Sequence, residues 1–201
     1  MKLYGSLTSP YVRKVRIVLI EKDIDCEFIV ERPNVPGGNV SRLNPLGKVP
    51  VLIQDDDEVL FDSPMIIEFL DGLGGNPLIP DGKIRWQVQR WHAIGQGILD
   101  AVVARLMETR RCDERQDPAV IDRQEDKIAN ALRFADDHYN TEKYLVSDTL
   151  TVADIALGVA LEYIDFRYPH DWRGLYPRLA QWLEVHAVSH SFKATGHPVE
   201  T

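Results

Sequence analysis

Residues 6–16 read SLTSPYVRKVR and residues 61–70 read FDSPMIIEFL, so a Ser-Pro pair occurs twice, at Ser9-Pro10 and at Ser63-Pro64. Each pair follows a strand-like run, residues 1–6 in one case and 58–61 in the other. Serine is a favoured N-cap because its hydroxyl accepts a hydrogen bond from a free amide of the first helical turn. Proline suits the first helical position, where its missing N–H is no loss. Both pairs therefore read as an N-cap followed by the first residue of a helix. A helix start combines free amides with the positive end of the dipole and attracts anions. Two such starts point to a ligand with two negative groups. Between them, residues 47–52 read GKVPVL, a proline directly ahead of a strand-like run.

Outward from these pairs, residues 1–75 alternate between strand and helix patterns. Residues 2–6 read as a strand, and 10–22 as a helix with Val12, Val15, Val18 and Leu19 at helical spacing. Phe28, Ile29 and Val30 form a buried run within a strand over 27–31, and Pro36, Gly37 and Gly38 make 35–39 a loop. Residues 51–54 and 58–61 flank Asp55-Asp56-Asp57, a hairpin turn. A helix over 64–73 stops at Gly74-Gly75. The order predicts a small α/β domain over residues 1–75 with one parallel and one antiparallel strand pair.

Residues 76–82, with two prolines and a glycine, read as a linker, and everything from 83 to 201 reads as an all-α domain. Ile84, Val88, Trp91, Ile98, Val102 and Leu106 mark one long helix, and Ile121, Ile128, Leu132 and Tyr139 a second. Thr151 and Asp154 stand at capping-box spacing and open a third. Residues 176–188, with Leu179, Trp182, Leu183 and His186 on one side, give a fourth.

The chain has 201 residues, 44% of them hydrophobic, enough for one large or two small cores. Its net charge is −8, shared evenly between residues 1–75 and the remainder. Neither part carries the basic footprint of a nucleic-acid binder, and an acidic membrane surface is no partner either. Cys26 and Cys112 lie far apart and form no CxxC, which argues against a disulfide scaffold, a zinc site or a dithiol redox pair. His92, His138 and His170 have no metal-ligand spacing. No run approaches a membrane span, no signal peptide opens the chain, and the expected location is cytoplasmic.

The stretches SLTSPYVRKVR (6–16), NPLGKVPVL (44–52), FDSPMIIEFL (61–70) and LTVADIAL (150–157) together resemble the glutathione S-transferase superfamily, in particular its bacterial serine-type cytosolic members. The resemblance covers essentially the whole chain. It implies a thioredoxin-like N-terminal domain, a helical-bundle C-terminal domain, glutathione as co-substrate without a metal, and a homodimer. The long helix that begins near Ile84 is the expected interface.

Under that resemblance Ser9 matches the catalytic serine. The chemistry needs glutathione's thiolate, the good nucleophile, and a hydroxyl donated to sulfur favours the charged form. A hydrogen bond to a charged group is worth about 1.5–3 kcal/mol, which would lower a thiol pKa by roughly one or two units. Thr8 and Ser6 are neighbouring hydroxyls that rank behind it, and Tyr4, inside the strand, is a poorer match. Val49-Pro50 matches the family's cis-proline turn, which frees Val49 to pair with the cysteinyl part of glutathione. A trans proline opening the strand is the reading without the family. Lys48 matches a position that approaches the glycyl carboxylate, with a solvated surface lysine as the alternative. Asp62-Ser63 stands where the family has Glu-Ser or Gln-Ser. The serine and first-turn amides would hold the γ-glutamyl carboxylate, and Asp62, one methylene short, would face the ammonium. Thr151 and Asp154 match a motif of folding rather than catalysis. The tryptophans read as core or interface. Arg105, Arg110 and Arg111 are either an exposed helical face or part of a second-substrate pocket.

The implied activity is attack of the glutathione thiolate on a small electrophile, a detoxification reaction. A non-catalytic glutathione-fold interaction or stress-response protein is the alternative. A glutathione-dependent disulfide reductase ranks last, because no cysteine stands at or beside position 9.

Overall fold

The computed structural model describes residues 1–33, 35–139 and 143–198. The first α/β segment contains β1 (Lys2–Gly5), α1 (Pro10–Glu21), β2 (Glu27–Val30), α2 (Asn39–Leu43), β3 (Val51–Ile53), β4 (Val59–Leu60) and α3 (Ser63–Gly72). The strands form one sheet in the order β2-β1-β3-β4. The α1 crossover makes β1 and β2 parallel, whereas β1/β3 and β3/β4 are antiparallel. The thioredoxin-like order expected from the sequence is the one observed. Helix α2 takes the last residue of the expected loop, Asn39, and otherwise falls on residues to which the sequence assigned no element. It has a single buried residue, Val40, and thus no apolar period to announce it. Its start is held from outside by Glu31, whose carboxylate accepts from Val40 N at 2.7 Å and from Asn39 Nδ2 at 3.2 Å.

Helices α4 (Lys83–Thr109), α5 (Pro118–His138), α6 (Val152–Arg167), α7 (Trp172–Leu175) and α8 (Pro177–Ala187) form the second unit. Helix α6 is its centre. Every residue from Val152 to Leu161 is buried, as expected for a helix covered on all sides. At Gly95 of α4 a Cβ would meet the backbone carbonyl carbon of Ala156 at 2.5 Å, so this close crossing of α4 and α6 requires glycine. The expected capping box is present. Asp154, fully buried, accepts from Thr151 N and Leu145 N, both at 2.8 Å, and from Thr151 Oγ1 at 2.9 Å. Burial pushes its carboxyl up, and the three donors pull the other way. Trp91, Trp172 and Trp182 are core, whereas Trp86 is 73% exposed.

Two expectations change here. Val88, Trp91, Ile98 and Val102 are buried within this single chain, so core packing accounts for most of that apolar series, which no longer argues by itself for an interface; Ile84 and Leu106 at its ends are half-buried. The compact units also divide differently from 1–75, 76–82 and 83–201. The first comprises Met1–Ile79 together with His190–Thr201, and the second Pro80–Ser189. Residues 76–79 belong to the first because Asp71 holds them. Its carboxylate accepts from Leu78 N at 2.8 Å and Ile79 N at 2.9 Å, while pairing with the buried Lys22 ammonium at 2.9 Å. Helix α9 (His190–Ala194) lies on α1, where Ser191 donates to Glu21 and Arg13 donates to Phe192 O at 3.3 Å.

Candidate functional site

Strand register brings the sequence motifs to one end of the sheet. Tyr4 pairs with Val51 in an antiparallel ladder, so the chain leaving β1 toward Ser9 passes beside the chain that enters β3 from Val49 and Pro50. Leu52 pairs with Leu60 in turn, which carries the chain leaving β4 toward Asp62 and Ser63 to that same end. Cys26 precedes β2, whose first residue pairs with Lys2 at the opposite end. Burial pushes its thiol up, and Cys112 is exposed in the second unit. Neither thiol belongs to this site.

Ser9 is the N-cap of α1. It is half-buried, in extended conformation, and its Oγ accepts from Val12 N at 3.3 Å. The turn before it is closed by Ser9 N donating to Ser6 O at 3.2 Å. A serine hydroxyl has one proton to donate besides its acceptor lone pairs. Capping uses a lone pair, so the O–H can still point at a ligand. Tyr4 is different. It is 9% exposed and packs with Val40 and Val51 in the core beneath the site.

Ser63 does not repeat the role of Ser9. Helix α3 begins at Ser63 itself, with Asp62 in the N-cap position and Pro64 in the first turn. Ser63 is 1% exposed, and the exposed Asp62 makes no side-chain cap hydrogen bond. Asp62 O accepts from Ile66 N at 3.0 Å, the first bond of the helix. The start of α3 thus keeps first-turn amides that no capping side chain takes. The peptide bond entering Asp62, Phe61-Asp62, is cis.

Val49-Pro50 is also cis. Pro50 is buried, Val49 half-buried against the Tyr4 cluster, and Lys48 exposed. The loop ahead of them is organised by Asn44, a residue to which the sequence reading gave no role. Asn44 is 2% exposed; its Oδ1 accepts from Leu46 N at 2.9 Å and its Nδ2 donates to Lys48 O at 2.8 Å. Its backbone oxygen takes Gly47 N at 2.8 Å, and Gly47 has φ +63°, a left-handed turn suited to glycine. A turn asparagine and a buried bracket look alike in one sequence, which is why this residue escaped notice.

In the second unit, Arg105 Nε pairs with Glu125 at 2.6 Å and the guanidinium lies 4.1 Å from the Tyr168 ring centre. Arg111 pairs with Glu108 at 2.9 Å, and Arg110 is exposed. Among the described residues no group of His, Cys, Asp and Glu has the arrangement of a metal site. No helix among them is long and apolar enough to cross a membrane.

A four-stranded thioredoxin-like sheet followed by a helical unit, with a serine at the first helix start and Val49-Pro50 beside it, is the arrangement that the sequence resemblance implies. Comparisons with known proteins agree. Residues 3–77 match the glutathione S-transferase N-terminal domain and residues 118–184 the C-terminal domain. The chain belongs to the glutathione S-transferase family. It is 36% identical to the uncharacterised GST-like protein YibF of Escherichia coli K12, over 98% of this chain and 99% of that one. Among solved structures it is similar to a glutathione S-transferase of Methylobacillus flagellatus with glutathione bound. The identity is 41%, the TM-score 0.92, and the match covers 98% of this chain and 99% of that one. A glutathione S-transferase of Methylobacterium radiotolerans in complex with glutathione sulfonate superimposes with a TM-score of 0.93 at 31% identity. There the match covers 100% of this chain and 96% of the other.

Proposed function

We propose that this protein is a serine-type glutathione transferase in which Ser9 holds the thiolate of glutathione for attack on a small electrophile. The observation that carries the reading is the Ser9 hydroxyl. It accepts from Val12 N at the α1 start and retains its own proton for the sulfur. The positive end of α1 adds to that field. Glutathione would lie along the sheet end, with its γ-glutamyl carboxylate on the amides at the start of α3 beside Ser63 and its ammonium facing Asp62. Its cysteinyl part would pair with Val49, and the Lys48 ammonium would approach its glycyl carboxylate. The bound glutathione in the Methylobacillus flagellatus relative supports this ligand.

In the chemical step the thiolate sulfur forms a bond to the electrophilic carbon, and the group displaced departs with the bonding electron pair. The thiol proton leaves to water before attack, and Ser9 stabilises the anion without itself being deprotonated. The working form is a homodimer in the cytoplasm, as the resemblance to the family implies. Spectroscopic titration of the bound thiol in wild type and Ser9→Ala tests the central claim. An upward shift of roughly one or two units is expected for a lost charged hydrogen bond. An unmoved titration takes the role away from Ser9 and transfers it to Thr8 or Ser6. Glutathione binding without turnover on any electrophile of a broad panel favours the non-catalytic alternative.

A further inference from the structure

We propose that Asn44 is a positioning residue that aims the backbone N–H of Val49 at the ligand; this rests on the glutathione reading above. The peptide bond between Lys48 and Val49 is trans, since the cis bonds of the chain are Val49-Pro50 and Phe61-Asp62. In a trans peptide the carbonyl and the following N–H point in opposite directions within one rigid plane. The Lys48 carbonyl points inward, to Asn44 Nδ2 at 2.8 Å. The Val49 N–H therefore points away from Asn44, out of the loop. One side-chain amide sets the orientation of the group that the cysteinyl segment would meet.

The bracket is rigid because every part of it is held. Asn44 N donates to Val40 O at 2.8 Å, fixing the residue to the end of α2. Its side-chain oxygen takes Leu46 N and its backbone oxygen takes Gly47 N, so the loop cannot rotate without breaking several bonds together. With 2% of the residue exposed, solvent does not replace a lost partner. The pattern of donors also makes the residue type specific. Leu46 N needs an acceptor and Lys48 O needs a donor, and the asparagine amide offers one of each in a single plane. Aspartate has the same shape but offers acceptors only. It would keep the Leu46 contact and set a carboxylate oxygen against the Lys48 carbonyl, turning that peptide plane.

The test is Asn44→Asp, with glutathione affinity by calorimetry, the bound-thiol titration, and amide exchange at Val49. The variant should bind glutathione about tenfold more weakly, the effect of one lost hydrogen bond. The thiol titration midpoint should stay where it is in wild type, because Ser9 and α1 are untouched. In wild type, glutathione should slow exchange of the Val49 amide, and in the variant that protection should be lost. Affinity within twofold of wild type overturns the proposal. So does a titration midpoint that moves as far as in Ser9→Ala, since the loop would then act on the sulfur. If the variant does not fold, wild-type exchange decides: a Val49 amide that glutathione leaves unprotected overturns the proposal. Wild type that binds no glutathione removes the underlying reading, whereas wild-type binding with an indifferent Asn44→Asp removes this inference alone.

Discussion

The starts of α1 and α3 carry the same dipeptide and solve different problems. At α1 the serine lies outside the helix and gives its oxygen to Val12 N. At α3 the serine has moved one place inward, is buried, and leaves the cap position to an aspartate that caps nothing. The reason lies in the approach of the chain. A turn over residues 6–9 separates β1 from α1 and lets Ser9 take the extended conformation of a cap. The chain from β4 reaches α3 almost at once, so Asp62 occupies the corner. The start of α1 satisfies itself and offers a hydroxyl proton. The start of α3 stays open and offers amides. A third helix start, that of α6, is closed completely, with Asp154 and Thr151 taking one another's amides in the core.

These three starts predict a graded series of substitutions. The largest effect belongs to the closed one. Asp154→Ala strands two buried amides and a hydroxyl, and should lower stability by about 3–5 kcal/mol, read by chemical unfolding. A loss under 1 kcal/mol would mean that the box is dispensable. Ser9→Ala should combine a modest loss of stability, about 1 kcal/mol for a cap, with a ten- to hundredfold fall in turnover near neutral pH. Turnover should recover in part as alkali ionises the thiol unaided. Ser63→Ala should show the converse at the open start. Glutathione affinity should fall by roughly tenfold, as for one hydrogen bond to a carboxylate, while the bound-thiol titration holds its place. If both variants moved the titration equally, the division of labour between the two starts would be lost. Lys48→Ala, at an exposed charge, should weaken glutathione by no more than about fivefold, and added salt should erase the difference.

A last contrast concerns pH. His186 donates from Nε2 to Lys143 O at 2.7 Å and packs on Trp182 and Tyr144. Burial lowers its pKa below the ordinary 6.5. Between the lowered folded value and 6.5 the unfolded chain binds a proton that the folded chain refuses, so stability falls as the pH drops through that window. Unfolding curves at pH 7.5 and 5.5 should separate in wild type and draw together in His186→Gln. The α6 capping box is present in both proteins, so any slope that survives in the variant belongs to Asp154 or to other carboxylates.

Much of this was legible in the sequence, for a physical reason. Strands, long helices and caps are local, and the Ser9 cap and the Thr151–Asp154 box are written within a few adjacent residues, whereas the cis turn at Val49-Pro50 was implied by the family resemblance and not by the residues alone, which favour a trans proline. What escaped depended on residues far apart or on the path of the chain. The register of Ser63 follows from how β4 delivers the backbone. The apolar series on α4 showed a buried face but not which surface buries it, and α6 of the same chain does so at the Gly95 crossing. Asn44 shows its bracket only when Lys48 O is placed against it. The pairing of Glu21 with Ser191 joins residues 170 positions apart, which no local pattern announces.

That long reach has a bearing on how the protein is made. The α/β unit consists of Met1–Ile79 and a second segment from His190 onward, with Pro80–Ser189 between them. A ribosome adding about 5–20 residues per second therefore needs several seconds to tens of seconds beyond Ile79 before Ser191 and Phe192 exist to meet Glu21 and Arg13. During that interval the α1 face that later carries α9 is uncovered, including Arg13, which ends 2% exposed. The helical unit, contiguous in the chain, is finished first, although its residues come second in order. A released chain truncated after Ser189 should be cut by protease within α1 and spared within α6, whereas the full chain should be protected at both.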